Sequence, residues 1–256
     1  MKPYLDQARG AIDKKDWAAA EATLSAAEGL FPGAAEPWCW SGKAALAQQH
    51  FQAAAEAFEY CLERDKGRLE ALDGIAFSRE GLEDWAAAEK ALRQALSAHP
   101  EVWTTAQNLG WFLFERGRAE EAERWLIQAS ARNAASSSPS PLPDLALARV
   151  YLALGKAPLA LAQAQRSLSY QPTAEGHFLS GAAHYELNHL DLAEQSFSDC
   201  LEMNPDYYLA KGGIGQVQAS RGQYKLAARS FEAVLEKEPG NVQAKENLAR
   251  LQRFLR

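Results

Sequence analysis

An alanine recurs along this chain at a nearly fixed interval, and any fold the sequence adopts has to respect it. Ala20, Ala54, Ala88, Ala122, Ala160, Ala193 and Ala227 are separated by 34, 34, 34, 38, 33 and 34 residues. Twelve residues before each stands another small residue: Ala8, Gly42, Ala76, Gly110, Ala148, Gly181 and Gly215. Four residues after come Leu24, Phe58, Leu92, Leu126, Ala164, Phe197 and Phe231, and seven after come Ala27, Cys61, Ala95, Ala129, Ser167, Cys200 and Val234. Twelve after, five of the seven repeats place a proline, at Pro32, Pro100, Pro172, Pro205 and Pro239. Alanine is abundant, 50 of 256 residues, so the co-registered columns of other residue types carry most of the weight. A period in this range means stacked supersecondary units, none of which buries its apolar face alone.

Each unit reads as two helices. An apolar stripe at helical spacing is followed by a break at Gly or a polar residue, then a second stripe, then a helix-ending proline. In the last unit Ile214, Gly215 and Gln218 lie on the first helix, Gly222 breaks it, and Tyr224, Ala227, Phe231 and Val234 lie on the second. Small residues mark where the two helices of a pair cross, and the large residue four after the alanine fills the hole left by the next pair. The alanine excess suits such a chain, since alanine is the best helix former and permits close helix contact.

The segments NLGWFLFERGRAEEAERWLIQA (108–129) and GIGQVQASRGQYKLAARSFEAVLEKEPGN (213–241) resemble tetratricopeptide repeats. The resemblance covers seven repeats starting near residues 1, 35, 69, 103, 141, 174 and 208. It implies an all-α, right-handed superhelical solenoid of about seven helix pairs plus a C-terminal capping helix. Repeats 1–4 are expected over 1–134, a Ser/Pro-rich connector over 135–143, repeats 5–7 over 144–241 and the capping helix over 242–256, with Leu248, Leu251 and Leu255 as its apolar face. The stretch NAASSSPSPLP (133–143) is the one organisational break, and its composition predicts a flexible or polyproline-like linker with the lowest protection in the array.

The net charge of −6 gives no general attraction to nucleic acid or to anionic membranes. No run of 18 apolar residues is present, so no membrane insertion is expected. The three cysteines, Cys39, Cys61 and Cys200, form no CxxC and are odd in number, which points to a reducing, cytoplasmic setting. Removal of a targeting segment would change that setting to the periplasm or outer membrane. Cys61 and Cys200 stand in the small packing column, as buried spacers, while Cys39 falls where it faces the concave surface. Lys245, Arg250, Arg253 and Arg256 against Glu246 make the end of the chain basic, as suits the last turns of a helix.

Catalytic signatures are missing. There is no GxSxG, Walker loop, HExxH or GxGxxG, so no enzyme and no cofactor is expected. His177 and His184 share a helix face with His189 in the following turn, but their spacing lacks the i,i+4 pair of a metal site. In the tetratricopeptide family, repeat positions 2, 5, 9, 12 and 13 of the first helix line the concave face. Carried onto this chain, the resemblance implies a peptide site at Lys43, Asp73, Phe77, Gln107, Trp111, Phe114, Arg149, Phe178 and Tyr185. The aromatic group Phe77, Trp111 and Phe114, flanked by Lys43 and Arg149, suits a protein or peptide segment with apolar anchors and acidic neighbours. The carboxylate clamp found in some family members is absent, because Asp73, Phe77, Leu142 and Ala146 occupy its positions.

The sequence therefore suggests a non-enzymatic scaffold or adaptor holding a peptide or helix in its concave groove. An alternative is a pilotin-like assembly factor for a type IV pilus or secretion-system secretin, because residues 108–129 followed by an insertion are similar to a repeat of that family. Such pilotins carry an N-terminal lipobox, which this sequence does not show. A helical regulatory arm of an enzyme complex is a third possibility.

Overall fold

The computed structural model describes residues 1–254; Leu255, Arg256 and the Arg253 side chain lie outside the described residues, and with them part of the expected capping face and basic end. Among the described residues every regular element is helical. The first pairs are α1 (Lys2–Asp13) with α2 (Trp17–Leu30), α3 (Glu36–Ala47) with α4 (Phe51–Arg64), and α5 (Leu69–Gly81) with α6 (Trp85–Ala98). Next come α7 (Trp103–Glu115), α8 (Ala119–Ala134), α9 (Leu142–Ala153) and α10 (Ala157–Tyr170). The chain continues through α11 (Ala174–Glu186), α12 (Leu190–Met203), α13 (Tyr208–Ser220), α14 (Tyr224–Lys237) and α15 (Val242–Leu251), ending in a 3-10 turn over Gln252–Phe254. It forms two compact units, 1–112 and 113–256, with the division inside α7.

The repeat columns become the core. All seven register alanines are fully buried, and so are Ala8, Ala76 and Ala148 twelve residues before three of them. The large column is sealed to the same degree: Leu24, Phe58, Leu92, Leu126, Phe197 and Phe231 are each at most 2% exposed. Where that column holds phenylalanine, glycine makes the room. A methyl group on Gly42 would lie 2.8 Å from the Phe58 ring, and one on Gly74, in the next repeat, would lie 2.4 Å away. Gly181 and Gly213 flank Phe197 in the same way, at 2.7 and 2.5 Å. Each ring thus belongs to its own pair and to the following one, which ties neighbours together.

Within each unit the first helices also touch one another: α1 meets α3 and α3 meets α5, and in the second unit α9, α11, α13 and α15 follow suit. Among the described residues no comparable row of contacts joins the second helices. The first helices therefore line the inner face of each unit and the second helices its outer face.

Local signals set the ends. Asp16 and Asp84 accept hydrogen bonds from the backbone N–H groups of Ala19 and Ala87, both at 3.2 Å, capping α2 and α6. Between the two helices of every pair one residue takes a left-handed backbone: Lys15, Gln49, Glu83, Gly117, Gly155, Asn188 and Gly222. The turn geometry repeats even where the residue does not suit it.

The expected linker is short and pinned. Irregular backbone covers only 135–141, between the end of α8 at Ala134 and the start of α9 at Leu142. Asn133 is fully buried, and its amide brackets Ser140: Nδ2 donates to the Ser140 carbonyl at 2.7 Å, and Oδ1 accepts from the Ser140 N–H at 2.8 Å. Beneath it Asp144, also fully buried, accepts from Ser130 Oγ at 2.6 Å and from Arg166 at 2.6 and 3.0 Å. A buried carboxylate is tolerable only with such charge-assisted partners.

The cysteines depart from the sequence reading. Cys39 on α3 and Cys61 on α4 form a disulfide, with Cα atoms 5.3 Å apart, and both are buried. Cys39 does not face the groove. An odd cysteine count hid a bonded pair plus one free thiol, Cys200, whose burial pushes its pKa up to about 11 and leaves it inert.

Two outcomes follow for measurement. Denatured without reductant, protein matured in an oxidising compartment should show one titratable thiol per chain, and three after reduction. Asn133→Ala should lower unfolding free energy by about 1–3 kcal/mol, because it strands the Ser140 backbone groups, and limited proteolysis should then cut first within 135–141.

Candidate functional site

First helices of the first unit carry five of the residues that the sequence singled out. Asp73 on α5 and Asn108 on α7 are joined by a 3.4 Å hydrogen bond from the Asn108 amide to the carboxylate. This bond sets α5 and α7 side by side one turn before Phe77 and Trp111. Those two rings hold the same register position on their helices and remain exposed, 46% and 38%. Gln107 beside them is half-buried, and its Oε1 is buried with no hydrogen-bond partner among the described residues. Lys43 on α3 is engaged: its ammonium pairs with Glu70 and sits 4.3 Å over the Trp40 ring.

Burial pushes the Asp73 carboxyl above the ordinary carboxylate range, against the opposing pull of the Asn108 amide and the His99 ring. An aromatic patch with a reluctant carboxylate at its base favours apolar or hydrogen-bonding guests over ions.

The second unit holds the other four. Phe114 is half-buried near the end of α7. Arg149 on α9 bonds Glu175 of α11, so this cation, like Lys43, already has an acidic partner within the chain. Phe178 packs against Phe197 and Tyr207, ring centres 5.9 and 5.2 Å apart, and the Tyr185 hydroxyl lies 3.2 Å from Ser220 Oγ. Phe178 and Tyr185 both border a cavity of about 240 Å³ between α11, α13 and α15. Sequence reasoning missed the α15 side of this cavity, because it read 242–256 as a capping helix with a basic end. The signal was present in the amide residues Gln243 and Asn247, which an isolated solvating face does not need.

The histidines separate into two environments. His184 and His189 approach with their Nδ1 atoms 3.5 Å apart, while His177 lies 3.6 Å from Asp199. Burial, followed by the neighbouring His189, lowers the His184 pKa. Among the described residues no group of three or more metal-ligating side chains converges, and no helix is long and apolar enough to cross a membrane.

Paired helices stacked through shared aromatic rings, with an inner face of first helices, define a helical-repeat protein. Sequence models of the tetratricopeptide repeat match residues 5–68, 81–139, 145–208 and 213–253, and the chain belongs to that family. It is similar to the solved structure of the APC/C hetero-tetramer Cut9-Hcn1, with TM-score 0.73 and 18% identity, over 98% of this chain and 49% of that one. PilW, described as a widely conserved type IV pilus biogenesis factor, aligns with TM-score 0.71 and 20% identity over 84% of this chain and 98% of its own. An 81-residue segment is 35% identical to Protein O-mannosyl-transferase TMTC1 of Homo sapiens, 32% of this chain and 9% of that protein. The chain thus spans about half of the first structure and under a tenth of the human relative.

A test of the Asp73 environment uses pH. Its raised pKa means that folding favours the protonated form, so its contribution to stability is present at low pH and lost as pH rises through the folded pKa. Asp73→Asn should therefore raise the thermal midpoint at pH 7, and the gain should vanish below about pH 4, near the unfolded carboxylate value.

Proposed function

We propose that this protein is a non-enzymatic scaffold that holds a segment of another protein against its inner face. The observation that carries the reading is the pair of exposed rings, Phe77 and Trp111, in the same register position of α5 and α7. Exposed aromatics in register on the inner helices of a repeat array lose water contact only when a partner covers them. The anchors of that partner are apolar. Lys43 and Arg149 offer little extra for acidic neighbours, since Glu70 and Glu175 already hold them. The family supports the reading, and so does the fold's likeness to a subunit assembly, Cut9-Hcn1. The segment shared with the human transferase is 9% of that protein and carries no argument for its activity here.

A second reading, pilotin-like assembly of a pilus or secretion system, gains from one observation. A disulfide buried in the α3–α4 pair suits an oxidising compartment such as the periplasm better than the cytoplasm. The fold of PilW is compatible with this reading.

Capture of partners from a lysate of the native host, with mass-spectrometric identification, separates the two. Under the scaffold reading, Phe77→Ala and Trp111→Ala each weaken binding of the captured partner more than tenfold, about 1.4 kcal/mol or more, with helical content unchanged. Loss of the fold in both variants, with no separable binding defect, would assign the rings to the core and remove the basis for the proposal.

A further inference from the structure

We propose that the cavity in the second unit is a socket for one large apolar side chain of a partner segment, with a basic residue next to that side chain. The inference rests on the scaffold reading above and deepens it. Phe178, Phe231 and Val234 make an apolar floor, and a cavity of about 240 Å³ has room for a single phenylalanine or leucine side chain rather than for a drug-sized ligand. The rim is built from uncharged amides, Gln216 on α13 and Gln243 and Asn247 on α15. Side-chain amides both donate and accept, so they match the alternating groups of an extended peptide backbone. Among the described residues that line the cavity Glu186 is the single carboxylate, and none is a lysine or arginine. The charge complement is therefore a cation on the guest, opposite in sign to the acidic neighbours that the sequence suggested.

Glycine explains why the socket exists. First-helix and second-helix positions 22 residues apart face each other within a repeat, as the second, sixth and seventh repeats show. Cys39 bonds Cys61, the Phe178 backbone hydrogen-bonds Cys200, and in the last repeat Gly212 faces Val234. Leu5, Cys39, Asp73, Gln107, Leu145 and Phe178 supply a side chain at this position in the other repeats; here it is empty. A methyl group on Gly212 would meet only Val234 Cγ2, at 3.8 Å, which is ordinary contact. Its neighbour Gly213 is different, because a methyl there would strike the Phe197 ring at 2.5 Å. Packing demands the second glycine and leaves the first to shape the cavity. Mid-helix glycine is otherwise unfavourable.

Gly212→Leu is the decisive variant, because it fills the socket while relieving a helix glycine. The probe is a fluorescein-labelled dodecapeptide of Gly and Ser with a central Phe-Lys, read by anisotropy. The wild-type protein should bind it, and Phe→Ala in the peptide should cost more than tenfold. Lys→Glu in the peptide should weaken binding several-fold, in a salt-dependent manner. Gly212→Leu should weaken it more than tenfold with an unchanged or higher thermal midpoint. Equal affinity of Gly212→Leu and wild type, tighter binding of the Glu peptide, or no binding at millimolar protein would each overturn the socket. Binding that survives Gly212→Leu but is lost in Phe77→Ala or Trp111→Ala would overturn the socket and leave the scaffold reading standing.

Discussion

The fold depends on a side chain shared by two repeats. A ring such as Phe58 or Phe197 belongs to the second helix of one pair, yet it lies against glycines on two successive first helices. Neither pair can bury that ring alone, so closure of one repeat requires the next. Propensity alone does not hold such short helices in water, since helices of this length are marginal in isolation. Stacking supplies the missing free energy, and the same stacking gathers the first helices into an inner face where unburied side chains can act on a partner.

Much of this was legible in the sequence. The alanine, small-residue and large-residue columns predicted which residues are buried, and Ala20 through Ala227 are buried without exception. Helix pairing and the proline stops follow from local chemistry. What the sequence concealed was tertiary. The Ser/Pro composition of 133–143 reads as a flexible or polyproline-like connector, and nothing in it announces that Asn133 holds Ser140 or that Asp144, just beyond, bonds Ser130 and Arg166. The disulfide was hidden by parity, because three cysteines suggest no framework until the facing columns are recognised.

The candidate site was legible in outline only. Register placed Phe77 and Trp111 on the inner face, where they are exposed, and Phe178 and Tyr185 beside a cavity. Register cannot report ion pairing, however. Lys43 and Arg149 looked like reserves of positive charge, and each is matched by a glutamate 26 or 27 positions along, on the next first helix. That spacing recurs because first helices touch first helices. A cation on one inner helix is therefore as much a part of the repeat interface as of the binding face.

The left-handed turn inside each pair gives the chain an uneven resistance to local opening. Gly117, Gly155 and Gly222 adopt that backbone without a steric cost, and Asn188 tolerates it, whereas Lys15, Gln49 and Glu83 carry side chains in a conformation that costs about 1–2 kcal/mol for an L-residue. All three strained turns lie in the first unit, at the tips of the α1–α2, α3–α4 and α5–α6 pairs. Fraying of those tips releases the strain, so the first unit breathes more readily than its buried columns suggest. Of the three strained pairs, the middle one is cross-linked through Cys39 and Cys61, which confines its opening to the turn itself.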